Sequence, residues 1–210
     1  MEIFGKKWEG HFEKIKADWL GKVGAEDIVL LSGDLSWAMT QKEVKEDLAR
    51  LSELPGKKVL LKGNHDYWWQ SLSKVRAILP EGFYALQNDV IRVGNHLFCG
   101  SRGWTTEKET EEDKRIYERE LIRLELSLAA MSKERREGDV VIGMTHYPPF
   151  GLTMDSTPVT RLFAKYGVER VVYGHLHGNV YAKRKVYLEG AYYFLTSCDL
   201  VDFTLTEISE

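Results

Sequence analysis

Four short segments carry side chains that could do chemistry together: Gly33-Asp34, Gly63-Asn64-His65-Asp66, Thr145-His146 and Gly174-His175-Leu176-His177. Carboxylate, amide oxygen and imidazole are together the ligand set of a Mn, Fe or Zn site. The glycines suit that purpose, because they let the backbone turn sharply and aim the next side chain at a common point. Singly the segments say little. Gly-Asp is common, and a lone Gly-x-His is more often a structural histidine. Gly-Asn-His-Asp is more specific, and the signal lies in all four occurring in this order, each after an apolar run.

Those runs read as buried strands, which lose polar alternation when both faces are covered. They are Asp27 to Ser32, Lys57 to Lys62, Asp139 to Thr145 and Glu169 to Tyr173. In open α/β sheets, ligands bind beyond the carboxyl ends of the strands, which is where the four segments lie. Trp8, Phe12, Ile15 and Trp19 fall at helical spacing, residues 40–53 return to that pattern, and a helix from about 70 to 79 ends at Pro80. From Phe83 to Gly100 short strands with Asn88-Asp89 and Gly94-Asn95 turns predict an antiparallel stretch. Residues 107–136 form the longest helix, opening on an acidic run suited to the helix dipole. Its stripe of Tyr117, Leu121, Leu124, Leu128 and Met131 predicts a core-facing side. Two or three antiparallel strands are expected between Asn179 and Thr196. Strand–helix alternation with a β-rich second half predicts an α/β fold with two mixed sheets.

With 210 residues, net charge −3, 43% hydrophobic and 29% charged content, the chain matches one ordinary soluble domain. A pI near 6.1 argues against a broadly basic nucleic-acid surface. Two cysteines, Cys99 and Cys198, make no disulfide framework. The first 20 residues have no signal-peptide core and no stretch reaches membrane-spanning length, so a cytoplasmic protein is expected.

The four segments resemble the calcineurin-like metallophosphoesterases, from about residue 27 to 197. The resemblance implies a four-layer α/β/β/α sandwich and two divalent metals (Mn, Fe or Zn) bridged by an aspartate. By motif, Asp34 corresponds to the bridging carboxylate, Asn64, His146 and His175 to ligands of one metal, and His177 to a ligand of the other. His65 corresponds to the histidine that protonates the leaving alkoxide, and Asp66 to the carboxylate that orients it. The implied reaction is hydrolysis of a phosphomonoester or phosphodiester by metal-bound hydroxide. The partner is then a phosphorylated small molecule or other phosphoester.

The family's first motif, Asp-x-His after the first strand, has no counterpart here. Glu9-Gly10-His11 lies in a helical pattern and does not substitute for it. The other metal would therefore keep only Asp34 and His177, so the expectation is two ions in a complete site and either one or two here. The expectation is a single domain over 1–210 that is incomplete at its N-terminus and lacks a core strand. The competing expectation is a related binding or scaffold protein with impaired catalysis.

Arg102, in Gly100-Ser101-Arg102-Gly103-Trp104, could grip phosphate oxygens bidentately. Trp37, Trp68 and Trp69 could wall a pocket or fill the core. Phe150 is expected to pack in the core, and Cys198 beside Asp199 does not make a convincing ligand pair.

Overall fold

The computed structural model describes residues 5–107, 109–151, 153–178, 180 and 182–208. The elements in chain order are α1 (His11–Lys22), β1 (Ile28–Leu31), α2 (Val44–Ser52), β2 (Lys57–Leu61), α3 (Leu72–Arg76), β3 (Phe83–Leu86), β4 (Val90–Val93) and β5 (His96–Ser101). There follow α4 (Glu111–Glu134), β6 (Val140–Thr145), α5 (Pro158–Lys165), β7 (Arg170–Tyr173), β8 (Lys185–Leu188) and β9 (Ala191–Leu195). One sheet has the order β1-β2-β3 and the other β4-β5-β6-β7-β9-β8.

Strand periodicity divides the apolar side chains among three cores. In β2, Leu60 faces one way, toward Trp19, Leu48 and Val75 of the helices. Val59 and Leu61 face the other way, toward Phe98, Ile142, Met144, Val172 and Phe194 of the second sheet. In that sheet Leu97, Val141, Val171, Tyr193 and Leu195 point outward onto α4 and α5. Three apolar cores between four layers make the α/β/β/α sandwich, with every central strand buried on both faces.

The first sheet is wholly parallel, so the expectation of two mixed sheets holds only for the second. The stretch expected to be antiparallel is split between the sheets. β3 pairs parallel with β2, and only β4 and β5 are antiparallel to each other. The reason is that Phe83 and Ala85 fill one core while Tyr84 and Leu86 face the other, which commits β3 to a position covered on both sides. β9 likewise pairs antiparallel with β8 but parallel with β7.

The long helix begins at Glu111. Thr110 caps it, accepting from the Asp113 N–H at 3.0 Å while Asp113 Oδ2 accepts from the Thr110 N–H at 3.2 Å. Tyr117, Leu124, Leu128 and Met131 are buried and Leu121 is partly buried, so the stripe faces the core as expected. The helix expected over 70–79 shrinks to five residues. Helix α5 was not anticipated, although Thr157 followed by Pro158 is a helix-start signal. Thr157 accepts from the Thr160 N–H and Pro158 sits in the first turn. No helix among the described residues is long and apolar enough to cross a membrane.

Candidate active site

The four segments converge at the carboxyl ends of β1, β2, β6 and β7, two parallel strands from each sheet. The β1 and β2 loops touch backbone to backbone, which explains their glycines. A Cβ on Gly63 would lie 2.0 Å from Asp34 Oδ1 and 2.2 Å from Asp34 N. A Cβ on Gly33 (φ +102°) would lie 2.5 Å from His146 Nδ1 and 2.7 Å from Gly63 Cα.

Asp66 ties these loops together. It is 1% exposed, and its Oδ2 accepts from the N–H groups of Gly63 (2.7 Å) and Asp34 (2.9 Å). Its Oδ1 accepts from the Ser36 N–H (3.2 Å) and Trp68 Nε1 (3.0 Å). Burial pushes the Asp66 carboxyl pKa up, although three of these donors favour the anion. With its oxygens occupied in this way, Asp66 makes no hydrogen bond to the His65 ring, so the orienting role expected of it has no direct contact here. The His65 Nδ1 shares a hydrogen bond of 3.0 Å with the hydroxyl of Tyr67. Trp37, which is 40% exposed, stands with its ring centroid 5.8 Å from that of His65.

Asp34 holds a left-handed backbone conformation (φ +56°), and its Oδ1 accepts from the His65 N–H at 2.8 Å. Its Oδ2 lies 3.6 Å from His146 Nε2. His146 Nδ1 donates to the Ser32 carbonyl at 2.9 Å, which fixes the tautomer and leaves Nε2 with its lone pair. That Nε2 is 2.6 Å from Asn64 Oδ1 and 3.2 Å from His175 Nδ1, and His175 Nδ1 is 3.0 Å from Asn64 Oδ1. Burial keeps the His146 pKa below its ordinary value. Burial, with His146 alongside, holds His175 down at about 4. Two imidazole nitrogens, an amide oxygen and a carboxylate oxygen thus converge, with at most one proton on these four atoms. A divalent cation fits that donor set, since it meets several lone pairs that would otherwise face one another. Among the described residues no three His, Cys, Asp or Glu side chains by themselves are arranged to hold a metal ion, so the fit depends on the Asn64 amide.

His177 has a partner of its own. Its Nδ1 pairs with Asp199 Oδ1 at 2.7 Å, and Asp199 Oδ2 accepts from the Gly178 N–H at 2.8 Å. The Trp8 ring packs 5.8 Å from the His177 ring, and Lys7 donates to the Asp199 carbonyl. Tyr147 lies against His175 with ring centroids 4.1 Å apart.

Arg102 straddles two environments. Its backbone carbonyl accepts from the N–H groups of His146 and Tyr147, both at 3.0 Å. Its guanidinium lies over the Trp104 ring and lines a neighbouring pocket with Lys62, Arg119 and Arg123. Trp68 and Trp69 are buried, so of the three tryptophans considered as walls only Trp37 is exposed beside the site. Phe150 packs on Tyr173 and Tyr193 in the core. Burial pushes the Cys198 thiol up to about 11, which disfavours the thiolate a metal requires.

Sequence reasoning missed Asp199 as the partner of His177, Tyr67 as the partner of His65, and the cations around Arg102. Tyr67 could have been weighed from its place in the His-Asp-Tyr run. Asp199 and the cations carried no local signal.

The layers and the loop cluster define an α/β/β/α sandwich whose site is built at strand carboxyl ends. The calcineurin-like phosphoesterase family matches residues 8–179, and the chain belongs to it. Among solved structures the chain is similar to a phosphopantetheinyl hydrolase from Mycobacterium tuberculosis, at 13% identity and a TM-score of 0.52. The match covers 88% of this chain and 87% of that one, and it bears on the fold alone. No curated protein matches the chain.

Proposed function

We propose that this chain is a metal-dependent phosphoesterase hydrolysing a phosphomonoester or phosphodiester. The observation that carries the reading is the meeting of His146 Nε2, Asn64 Oδ1 and His175 Nδ1 within 3.2 Å of one another, with Asp34 beside them. Asp34, Asn64, His146 and His175 would hold a Mn, Fe or Zn ion, and His177 would serve a second ion sharing Asp34. Such an ion supplies positive charge at the phosphoryl oxygens and lowers the pKa of water toward neutrality.

The other steps belong to the chain's own groups. The Ser32 carbonyl holds the proton on His146 Nδ1 and keeps Nε2 a donor of electrons. Asp66 locks the two loops that carry Asp34 and Asn64. His65, held at Nδ1 by Tyr67, has Nε2 available to protonate a leaving alkoxide.

The test is metal content per chain together with hydrolysis of bis(p-nitrophenyl) phosphate in Mn²⁺. Wild type is expected to bind metal and turn over, and Asp34→Asn to lose both. Unchanged metal content in Asp34→Asn overturns the assignment. A second reading, a binding protein that has lost catalysis, is favoured by the packing of His177 against the Trp8 ring. Metal bound without turnover of any phosphoester would select it.

A further inference from the structure

Beside the candidate metal cluster lies a pocket of about 270 Å³, and its charge is uneven. Lys62 enters it from the end of β2, Arg102 from the β5–α4 connection, and Arg119 and Arg123 from one face of α4. The one carboxylate in the lining is Glu120, which is buried and already engaged, its Oε1 accepting from Arg123 Nη1 at 2.6 Å. Among the described residues no carboxylate pairs with Lys62, Arg102 or Arg119. A chain of net charge −3 has thus gathered four cations against one anion in a single hollow. Like charges at such close quarters repel, and an anionic ligand would offset that cost.

We infer that this pocket binds a second phosphate group of the substrate, so that the enzyme acts on phosphoesters bearing another phosphate. The inference rests on the phosphoesterase reading and adds a substrate class to it. Three cations without carboxylate partners suit a dianion better than a singly charged carboxylate. Guanidinium forks match phosphate oxygens bidentately, and the Trp104 ring under Arg102 leaves that fork's in-plane donors for a ligand. Adjacency comes from the backbone. Lys62 immediately precedes the Gly63-Asn64 turn, and the Arg102 carbonyl is hydrogen-bonded to the His146 N–H. One substrate can therefore place its scissile phosphate at the histidine cluster and its second phosphate among the cations. A volume of about 270 Å³ leaves room for a phosphate and part of its hydration.

The test uses the full chain in two conditions. In chelator, calorimetric titration with inorganic phosphate is expected to show one saturable site per chain. Lys62→Gln and Arg119→Gln should each weaken it about tenfold or more. Lys114→Gln, on the same helix but outside the pocket, should not. Absence of saturable binding, or equal weakening in Lys114→Gln, overturns the subsite.

With Mn²⁺ present, kcat/KM for butanediol bisphosphate is compared with that for p-nitrophenyl phosphate. Arg119→Gln should lower that ratio about tenfold, and an unchanged ratio overturns the substrate class. Hydrolysis without phosphate binding defeats the subsite alone. Phosphate binding without hydrolysis of any ester defeats the phosphoesterase reading, and the substrate role with it.

Discussion

His177 Nδ1 and Asp199 Oδ1 lie 2.7 Å apart, and the carboxylate that makes this contact is 2% exposed. A buried carboxylate there keeps the proton on Nδ1 and presents the Nε2 lone pair outward, the form in which a histidine binds metal. The second oxygen of Asp199 is occupied by the Gly178 N–H, so the pair is anchored to the loop it serves.

Asp199→Asn should therefore weaken Mn²⁺ binding about tenfold or more, by analogy with other carboxylate–histidine–metal arrangements. Titration calorimetry measures the affinity, and the ¹⁵N shifts of His177 report whether its proton has left Nδ1. Unchanged affinity and an unchanged tautomer would show that Asp199 has a packing role only.

Gly63→Ala tests the contact between the β1 and β2 loops. The added Cβ meets Asp34 Oδ1 at 2.0 Å and the Asp34 backbone N at 2.2 Å, and Asp34 is itself held by the fully engaged Asp66. The expected cost is about 3 kcal/mol or more, read from urea unfolding, together with loss of metal binding. A midpoint equal to wild type would mean the loops do not meet as described.

His65→Ala should lower turnover of phosphoesters with poor alkoxide leaving groups by about 10²–10⁴-fold while keeping metal content. The loss should be smaller for p-nitrophenyl esters, whose leaving group needs little protonation. Tyr67→Phe, which removes the hydroxyl on His65 Nδ1, should produce a weaker version of the same leaving-group dependence. If metal is lost with His65, the residue is a ligand and its proposed role fails.

Acid should destabilise the chelated protein through the paired histidines. His175 is held at about 4, against 6.5 for the free side chain, and His146 shifts in the same direction, mainly through burial. Between pH 6.5 and 4 the unfolded chain then binds more protons than the folded one, so stability rises with pH across that window. The His175 contribution is fully present above pH 6.5 and is lost as pH falls toward 4. His175 is partly exposed, and solvent screening limits the effect to about 1–2 kcal/mol. Urea midpoints at several pH values measure it, and His175→Asn should flatten the slope. A slope of opposite sign would show that the histidine is charged in the fold.

The local signals in the chain were enough for the strands that carry the site. Each of the four segments follows an apolar run, and the strands expected over Asp27–Ser32, Lys57–Lys62, Asp139–Thr145 and Glu169–Tyr173 are β1, β2, β6 and β7. The stripe on α4 was equally legible, because burial on one helical face leaves a period that survives in the sequence. The sheet to which β3 belongs was not legible. Phe83 to Leu86 reads the same whether it pairs with β2 or with β4, and the choice depends on which two cores its alternate side chains fill.

The sequence by itself determined that Asp34, Asn64, His146, His175 and His177 sit just past strand ends, since glycine turns and apolar runs are local properties. Tertiary structure alone decided that Asp66 ties backbone loops together and leaves the His65 ring to Tyr67, that His177 stands against Asp199, and that Lys62 and Arg102 share a hollow with two arginines of α4. Each of those relationships is set by the directions in which separate elements aim their side chains. Direction across a fold depends on packing between layers, and no spacing along the chain records it.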